Sequence, residues 1–168
     1  LYGPTGKGER HFTLFENTRT AWLRNSIYWD SVEPTDVTPD QYNWGAVEAH
    51  LRAAKDNCVN MIATIEGVPS WASTEGNRSP IKPANIPDFV EFMVALVERF
   101  DGDGIDDSPS GIVVHYWEIF NEPDFGSQIP GNVGYGDFGA QYAQLLEAIY
   151  QPVHDASEDV QVVFGGIA

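Results

Sequence analysis

Short runs of β-branched and aromatic residues alternate along this chain with longer stretches whose apolar positions recur every three or four residues. Ala21–Tyr28, Val59–Ile65, the run from Ile112 that stops at Asn121-Glu122-Pro123 and Val160–Phe164 read as strands. Val59–Ile65 is almost wholly apolar, as expected of a strand covered on both faces. The helix predicted after the first strand begins near Asn43, a good N-cap, and lines up Trp44, Val47, Leu51, Ala54 and Cys58. A second predicted helix has Pro87 in its first turn and Phe89, Phe92, Met93, Leu96, Val97 and Phe100 at helical spacing. Phe138, Tyr142, Leu145, Leu146 and Ile149 mark a third, after a glycine-rich loop. The order β-α-β-α-β-α-β demands right-handed crossovers and a parallel sheet, so the predicted class is α/β, with three helices covering one face. No internal repeat or low-complexity segment interrupts it.

The stretch richest in candidate chemistry is Tyr116-Trp117-Glu118-Ile119-Phe120-Asn121-Glu122-Pro123-Asp124, entered through Ile112, Val113 and Val114. Pro123 cannot donate to a ladder, so strand pairing should end there. Glu122 then stands at the C-terminal end of a buried strand, the position where α/β barrels keep catalytic groups. A carboxyl set among Trp117, Phe120 and Phe125 would be costly to ionise; its pKa should rise, making it a proton donor near neutral pH. A glutamate that caps a helix or pairs with an arginine is the plainer alternative, and the Asn and Pro neighbours weigh against it. Strand parity sends Glu118, Phe120 and Glu122 to one side unless a bulge intervenes.

The run Trp117-Glu118-Ile119-Phe120-Asn121-Glu122-Pro123 resembles the acid/base motif of the clan A glycoside hydrolases, (β/α)8 enzymes that hydrolyse β-glycosides with retention. In that clan an Asn-Glu pair closes the fourth barrel strand. The resemblance implies Glu122 as general acid/base and Asn121 as a hydrogen-bond donor to the sugar 2-hydroxyl, with Trp117 and Glu118 in support. Arg24 matches an arginine the family keeps near its catalytic carboxylates, where a cation would hold a nucleophilic glutamate ionised. A salt bridge from Arg24 to a buried acid, Glu118 foremost, is the other reading. Trp29-Asp30-Ser31-Val32-Glu33-Pro34 resembles the family's mostly structural Trp-x-x-x-Glu-Pro. Pro69-Ser70-Trp71 resembles its Pro-x-Trp, whose tryptophan lines the sugar site. Trp71 is thus a candidate sugar platform, with a core position the equal alternative. Glu66 departs from the pattern, since the family more often has a neutral residue or His there. The likeness spans about residues 19–168 and is closest in look to families 39 and 5.

On that alignment the strands are the second to fifth of eight: a partial (β/α)8 TIM barrel, with His11 to Thr20 as the tail of the first helix. A complete barrel takes about 250 residues, and this chain has 168. The expected unit, residues 1–168, is therefore an incomplete catalytic barrel whose remainder lies in the same or another chain. Retaining hydrolysis uses two carboxyls about 5–5.5 Å apart. The clan's nucleophile closes the seventh strand, so it is expected outside these residues. Two alternatives stand beside the enzyme: a non-catalytic extracellular carbohydrate-binding or scaffold protein derived from such a barrel, and two halves that assemble into one.

Composition narrows the partners. With 25 acidic against 9 basic residues the formal charge is -16, which disfavours nucleic acid and anionic membrane surfaces and is compatible with a carbohydrate substrate. No apolar run approaches membrane-spanning length, so no membrane insertion is expected. The single cysteine, Cys58, excludes an intrachain disulfide and reads as a small core residue at a helix end. Asp101-Gly102-Asp103-Gly104-Ile105-Asp106-Asp107 clusters hard oxygen ligands, with Asp101, Asp103 and Asp107 the candidates for a structural Ca2+. The order of ligands is not that of an EF-hand, and a solvated acidic turn is the favoured reading. No other cofactor is expected. The acidic charge, the lone cysteine and the habit of the family point to an extracellular or secreted setting.

Overall fold

Four strands form one sheet in the order β1-β2-β3-β4, every neighbouring pair parallel. In this computed structural model, which describes residues 21–74, 80–125, 135 and 139–167, they are β1 Trp22–Tyr28, β2 Asn60–Glu66, β3 Tyr116–Ile119 and β4 Gln161–Phe164. A single turn, α1 Trp29–Val32, leaves β1 directly. Helices α2 Gly45–Asp56, α3 Ile86–Phe100 and α4 Gly139–Ala156 make the three crossovers, α3 entered through a 3-10 turn at Pro83–Asn85. Sequential strands lie side by side because each helix returns the chain to the same growing edge.

The apolar periodicities meet on one face of the sheet. Ala63, Ile65, Trp117 and Ile119 are fully buried there, together with Phe89, Phe92, Met93, Leu96, Val97 and Phe100 of α3 and Leu145, Ile149 and Val153 of α4. Burying each large side chain contributes about 1.5–3 kcal/mol, and this layer holds the crossovers in place. Trp29 joins it from α1, its ring 5.1 Å from Phe89 and 5.6 Å from Phe92. The opposite face carries the exposed rings of Trp22, Tyr28 and Tyr116. That is the face a closed barrel turns inward. Among the described residues β1 and β4 each pair along one edge only.

Three expectations need correction. First, β3 is short: Ile112 and Val114 are buried but stand outside the ladder, and the Val114 N–H donates to the Phe100 carbonyl of α3 instead. Second, Trp44 rather than Asn43 is the N-cap of α2. The Asn43 N–H is taken by the Val32 carbonyl at 2.7 Å, which ties the loop to α1, and its side chain meets the Gly45 N–H only at 3.4 Å. Third, Cys58 is exposed. It follows the α2 C-cap with φ 54°, its N–H donating to Lys55 O while the Val59 N–H donates to Ala54 O. That is the Schellman pattern with cysteine in the place glycine usually takes, and it turns the side chain away from the core.

His11 to Thr20 and Phe138 lie outside the described residues. Among those described, no helix is long and apolar enough to cross a membrane.

Candidate active site

Just past β3 the backbone enters the left-handed region twice, at Phe120 (φ 61°) and Glu122 (φ 45°). Such a conformation is costly for a bulky side chain, of order 1–3 kcal/mol per residue, and persists only where the surroundings impose it. Phe120 stacks on Phe89 with ring centroids 5.9 Å apart and 12° between planes, and lies 5.9 Å from the ring of Tyr135. Its N–H donates to Ile65 O, while Phe125 N–H closes the turn onto Glu122 O. Tyr142 of α4 donates its hydroxyl to Ile119 O at 2.6 Å and accepts from Gly165 N–H at 2.9 Å. Gly165 allows the end of β4 to press on the turn: a Cβ there would fall 2.5 Å from Phe120 O and 2.8 Å from Ile119 O.

The turn breaks the alternation expected from parity. Glu118 points to the open face and Phe120 into the helix layer, so Glu118, Phe120 and Glu122 do not share a side. The predicted enclosure of Glu122 by Trp117, Phe120 and Phe125 is not formed either. Trp117 is fully buried on the helix side, Phe120 stacks on Phe89, and Phe125 is exposed.

On the open face Arg24 of β1 joins the two ends of this segment. Its Nε donates to Glu118 Oε2 at 2.5 Å and its terminal nitrogen to Asn121 Oδ1 at 2.8 Å. Glu118 Oε2 also accepts from the Thr64 hydroxyl at 2.7 Å, and Oε1 from the Gly166 N–H at 3.1 Å. Burial pushes the Glu118 carboxyl up, but the bonds from Arg24 and Thr64, the Arg24 charge and the Gly166 amide together outweigh it and leave the group below its ordinary value. The bond to Glu118 raises Arg24 in turn, against partial burial, and the nearby Glu66 and Glu122 carboxylates add to the rise. With its oxygen facing Arg24, Asn121 turns its NH2 group away from the guanidinium. Glu122 is half-buried, and its carboxylate makes no hydrogen bond or ion pair among the described residues.

Trp71 is half-buried, packed edge-on against Trp29 at 5.3 Å, with its indole N–H toward Glu33 O at 3.3 Å. Glu33 is 4% exposed and accepts from Trp29 Nε1 at 2.8 Å. Burial pushes its carboxyl above the ordinary value, the Trp29 bond opposes this, and Asp40, Asp88 and Asp36 add to the rise.

Arg24, Glu118, Asn121 and Glu122 therefore meet at the C-terminal ends of the strands, while Trp117 belongs to the core. Sequence reasoning missed Thr64, Tyr142, Gly165 and Gly166. A lone hydroxyl in the apolar run of β2 and a Gly-Gly pair directly after β4 were the available signals. Asp101, Asp103 and Asp107 lie at the other end of the molecule, after α3, with one carboxylate oxygen of each within 4.8 Å of the others. Amides of their own loop donate to them: Gly102 and Gly104 to Asp107, Asp103 to Asp101, Ile105 to Asp103. A cavity of about 440 Å³ between Leu51, Cys58, Val113 and Tyr116 is likewise at the N-terminal ends of the strands, away from Glu122.

No protein-family model matches the chain, and no curated protein sequence does. Solved structures do. A family 39 glycoside hydrolase from Bacteroides cellulosilyticus WH2 superposes with a TM-score of 0.70 at 15% identity, over 99% of this chain and 30% of that one. This is a family 39-like fold. A monomeric β-xylosidase from Caulobacter crescentus CB15 gives 0.69 at 17% identity over 92% of this chain and 31% of its own. A glucosidase from Croceicoccus marinus gives 0.63 at 21% over 94% and 32%. The chain thus spans about a third of the length of these glycoside hydrolases, and its sheet is part of a TIM barrel.

Proposed function

We propose that these residues form the acid/base side of a retaining β-glycoside hydrolase site, with Glu122 as general acid/base. The observation that carries this is the strained turn after β3. It sets Glu122 beside an Asn121 whose carbonyl oxygen Arg24 holds at 2.8 Å. Fixing that oxygen aims the Asn121 NH2 outward, where it donates to the 2-hydroxyl of a bound sugar. Glu122 protonates the glycosidic oxygen as the bond breaks, then takes the proton of the water that releases the sugar. The carboxylate that attacks the anomeric carbon comes from the remainder of the barrel, about 5–5.5 Å from Glu122. Arg24 bridges Glu118 to Asn121 and keeps both in place, and Trp71 offers an aromatic face to the pyranose. A carbohydrate is the partner, met outside the cell, and the chemistry requires no cofactor. Xylosides and glucosides, the substrates implied by the names of a β-xylosidase and a glucosidase among the structural neighbours, come first for assay in their β-linked forms.

The test uses the complete protein. Glu122→Gln should lower the glycosylation rate on a substrate with a poor leaving group by about 10²–10⁴-fold. A dinitrophenyl glycoside, whose leaving group needs no proton, should lose much less in that step. Equal losses on both would remove Glu122 from the role of acid. Oligosaccharide binding by the wild-type protein without hydrolysis of any β-glycoside would support the non-catalytic binding protein instead.

A further inference from the structure

Glu66 ends β2 and has no place in the role assignments above. Its Cα pairs with Tyr28, and two residues earlier Thr64, on the same face of the strand, reaches Glu118. Glu66 therefore stands one step closer to the C-terminal end than Thr64, on the open face, between Tyr28 on one side and the Asn121–Glu122 turn on the other. Its charge acts on the Arg24 guanidinium, so it belongs to the same cluster. Yet Arg24 is committed to Glu118 and Asn121, and the Glu66 carboxylate makes no hydrogen bond or ion pair among the described residues. Half-buried and acceptor-only, it has up to four lone-pair directions to fill. A carboxylate enclosed by a closing barrel needs donors, because a buried charge without hydrogen bonds is costly.

Sugar hydroxyls are such donors. Neighbouring strands are about 4.8 Å apart, so a pyranose whose 2-hydroxyl meets Asn121 on β3 extends its next hydroxyls over the end of β2. We propose that Glu66 is a substrate-binding residue that accepts hydrogen bonds from the 3- or 4-hydroxyl of the same sugar ring. This rests on the reading of the site given above and adds a specificity determinant to it: a substrate with hydroxyl donors at those positions is selected over one that lacks them.

The experiment is a mutant–substrate cycle in the complete protein. The parent is whichever of 4-nitrophenyl β-D-xyloside and β-D-glucoside the wild type hydrolyses faster, compared with its 3-deoxy and 4-deoxy analogues. Glu66→Ala should lower kcat/KM on the parent about 10–100-fold, the range for a hydrogen bond to a charged group, and Glu66→Gln less. Removing one of the two hydroxyls should cost the wild type a similar factor and Glu66→Ala under about threefold, because the interaction is already gone. Equal penalties for both deoxy analogues in wild type and Glu66→Ala would overturn the proposal, including the case where Glu66→Ala only lowers Tm through a lost contact to another part of the barrel. The loss at Glu66 should not depend on the leaving group, unlike that of Glu122→Gln. A leaving-group-dependent loss at Glu122 without coupling at Glu66 would sink only this inference. If the wild type hydrolyses neither glycoside, Glu66 is judged instead by calorimetric binding of xylobiose and cellobiose. Tenfold weaker binding by Glu66→Ala would then uphold it, and unchanged binding would overturn it.

Discussion

Replacing Arg24 by Met removes the cation that Glu118 faces while keeping most of the aliphatic bulk. Glu118 is nearly buried, with a side chain 7% exposed against 44% for Arg24. Breaking a fully buried pair costs about 3–5 kcal/mol, and a fully exposed one about 0–1 kcal/mol. Here water reaches one partner, and Glu118 keeps its bonds from Thr64 and Gly166. The expected loss at neutral pH is therefore about 1–3 kcal/mol. The pH dependence should change as well. In the wild type the Glu118 carboxyl titrates below its ordinary value when folded, so its contribution is present above the unfolded-state pKa and fades as pH falls through the folded one. Without Arg24 the upward push of burial is less opposed, so the folded value rises and the gap between wild type and variant should shrink from pH 7 toward pH 3. Urea unfolding of the complete protein, followed by circular dichroism across that range, measures both. Adding Glu118→Gln to Arg24→Met should restore part of the loss, since the amide still accepts from Thr64 and no charge is left stranded. A variant as stable as wild type at pH 7, or a double variant less stable than Arg24→Met, would refute this account of the pair.

Gly165→Ala should destabilise the protein by more than about 2 kcal/mol, because the new Cβ meets the backbone oxygens of Phe120 and Ile119 at 2.5 and 2.8 Å rather than a side chain that can yield. It should also shift the Asn121–Glu122 turn, and a lowered Tm together with loss of the proposed glycosidase activity checks both effects. Glu33→Gln should do the opposite of Arg24→Met in its pH dependence. The wild-type carboxyl is raised by burial, so it favours the folded state while protonated and loses that advantage as pH rises through the ordinary carboxylate value of 4.5 and above. The amide keeps an acceptor for Trp29 Nε1, so the variant should gain on the wild type between pH 4 and pH 7; a constant difference in Tm across that range would count against the reading.

Several features were already legible in the one-dimensional order of residues. The helices needed their periodic apolar faces covered, and four strands with helical crossovers could satisfy that and the right-handed rule only as a parallel sheet. Pairing was expected to run up to Pro123, which has no N–H to give to a ladder, but β3 already ends at Ile119, before the left-handed turn at Phe120. The acids and the arginine of the site were visible as residue types. What the chain order did not reveal was the conformation at Phe120 and Glu122. Neither residue favours a positive φ, so local preference continues the strand through them and predicts the wrong side for Phe120. The turn exists because Phe89, Tyr142 and Gly165, distant in sequence, over-determine it by a ring stack, a shared hydroxyl and a missing Cβ. Arg24 was open to two readings from sequence, and in the fold it serves both Glu118 and Asn121, 94 and 97 residues away, because β1 and β3 flank the same central strand. Cys58 was placed in the core by its spacing, yet backbone hydrogen bonding at the end of α2 turned it outward. Periodicity reports which face of an element must be covered, whereas the site depends on backbone conformations and shared polar contacts that only the packed elements impose.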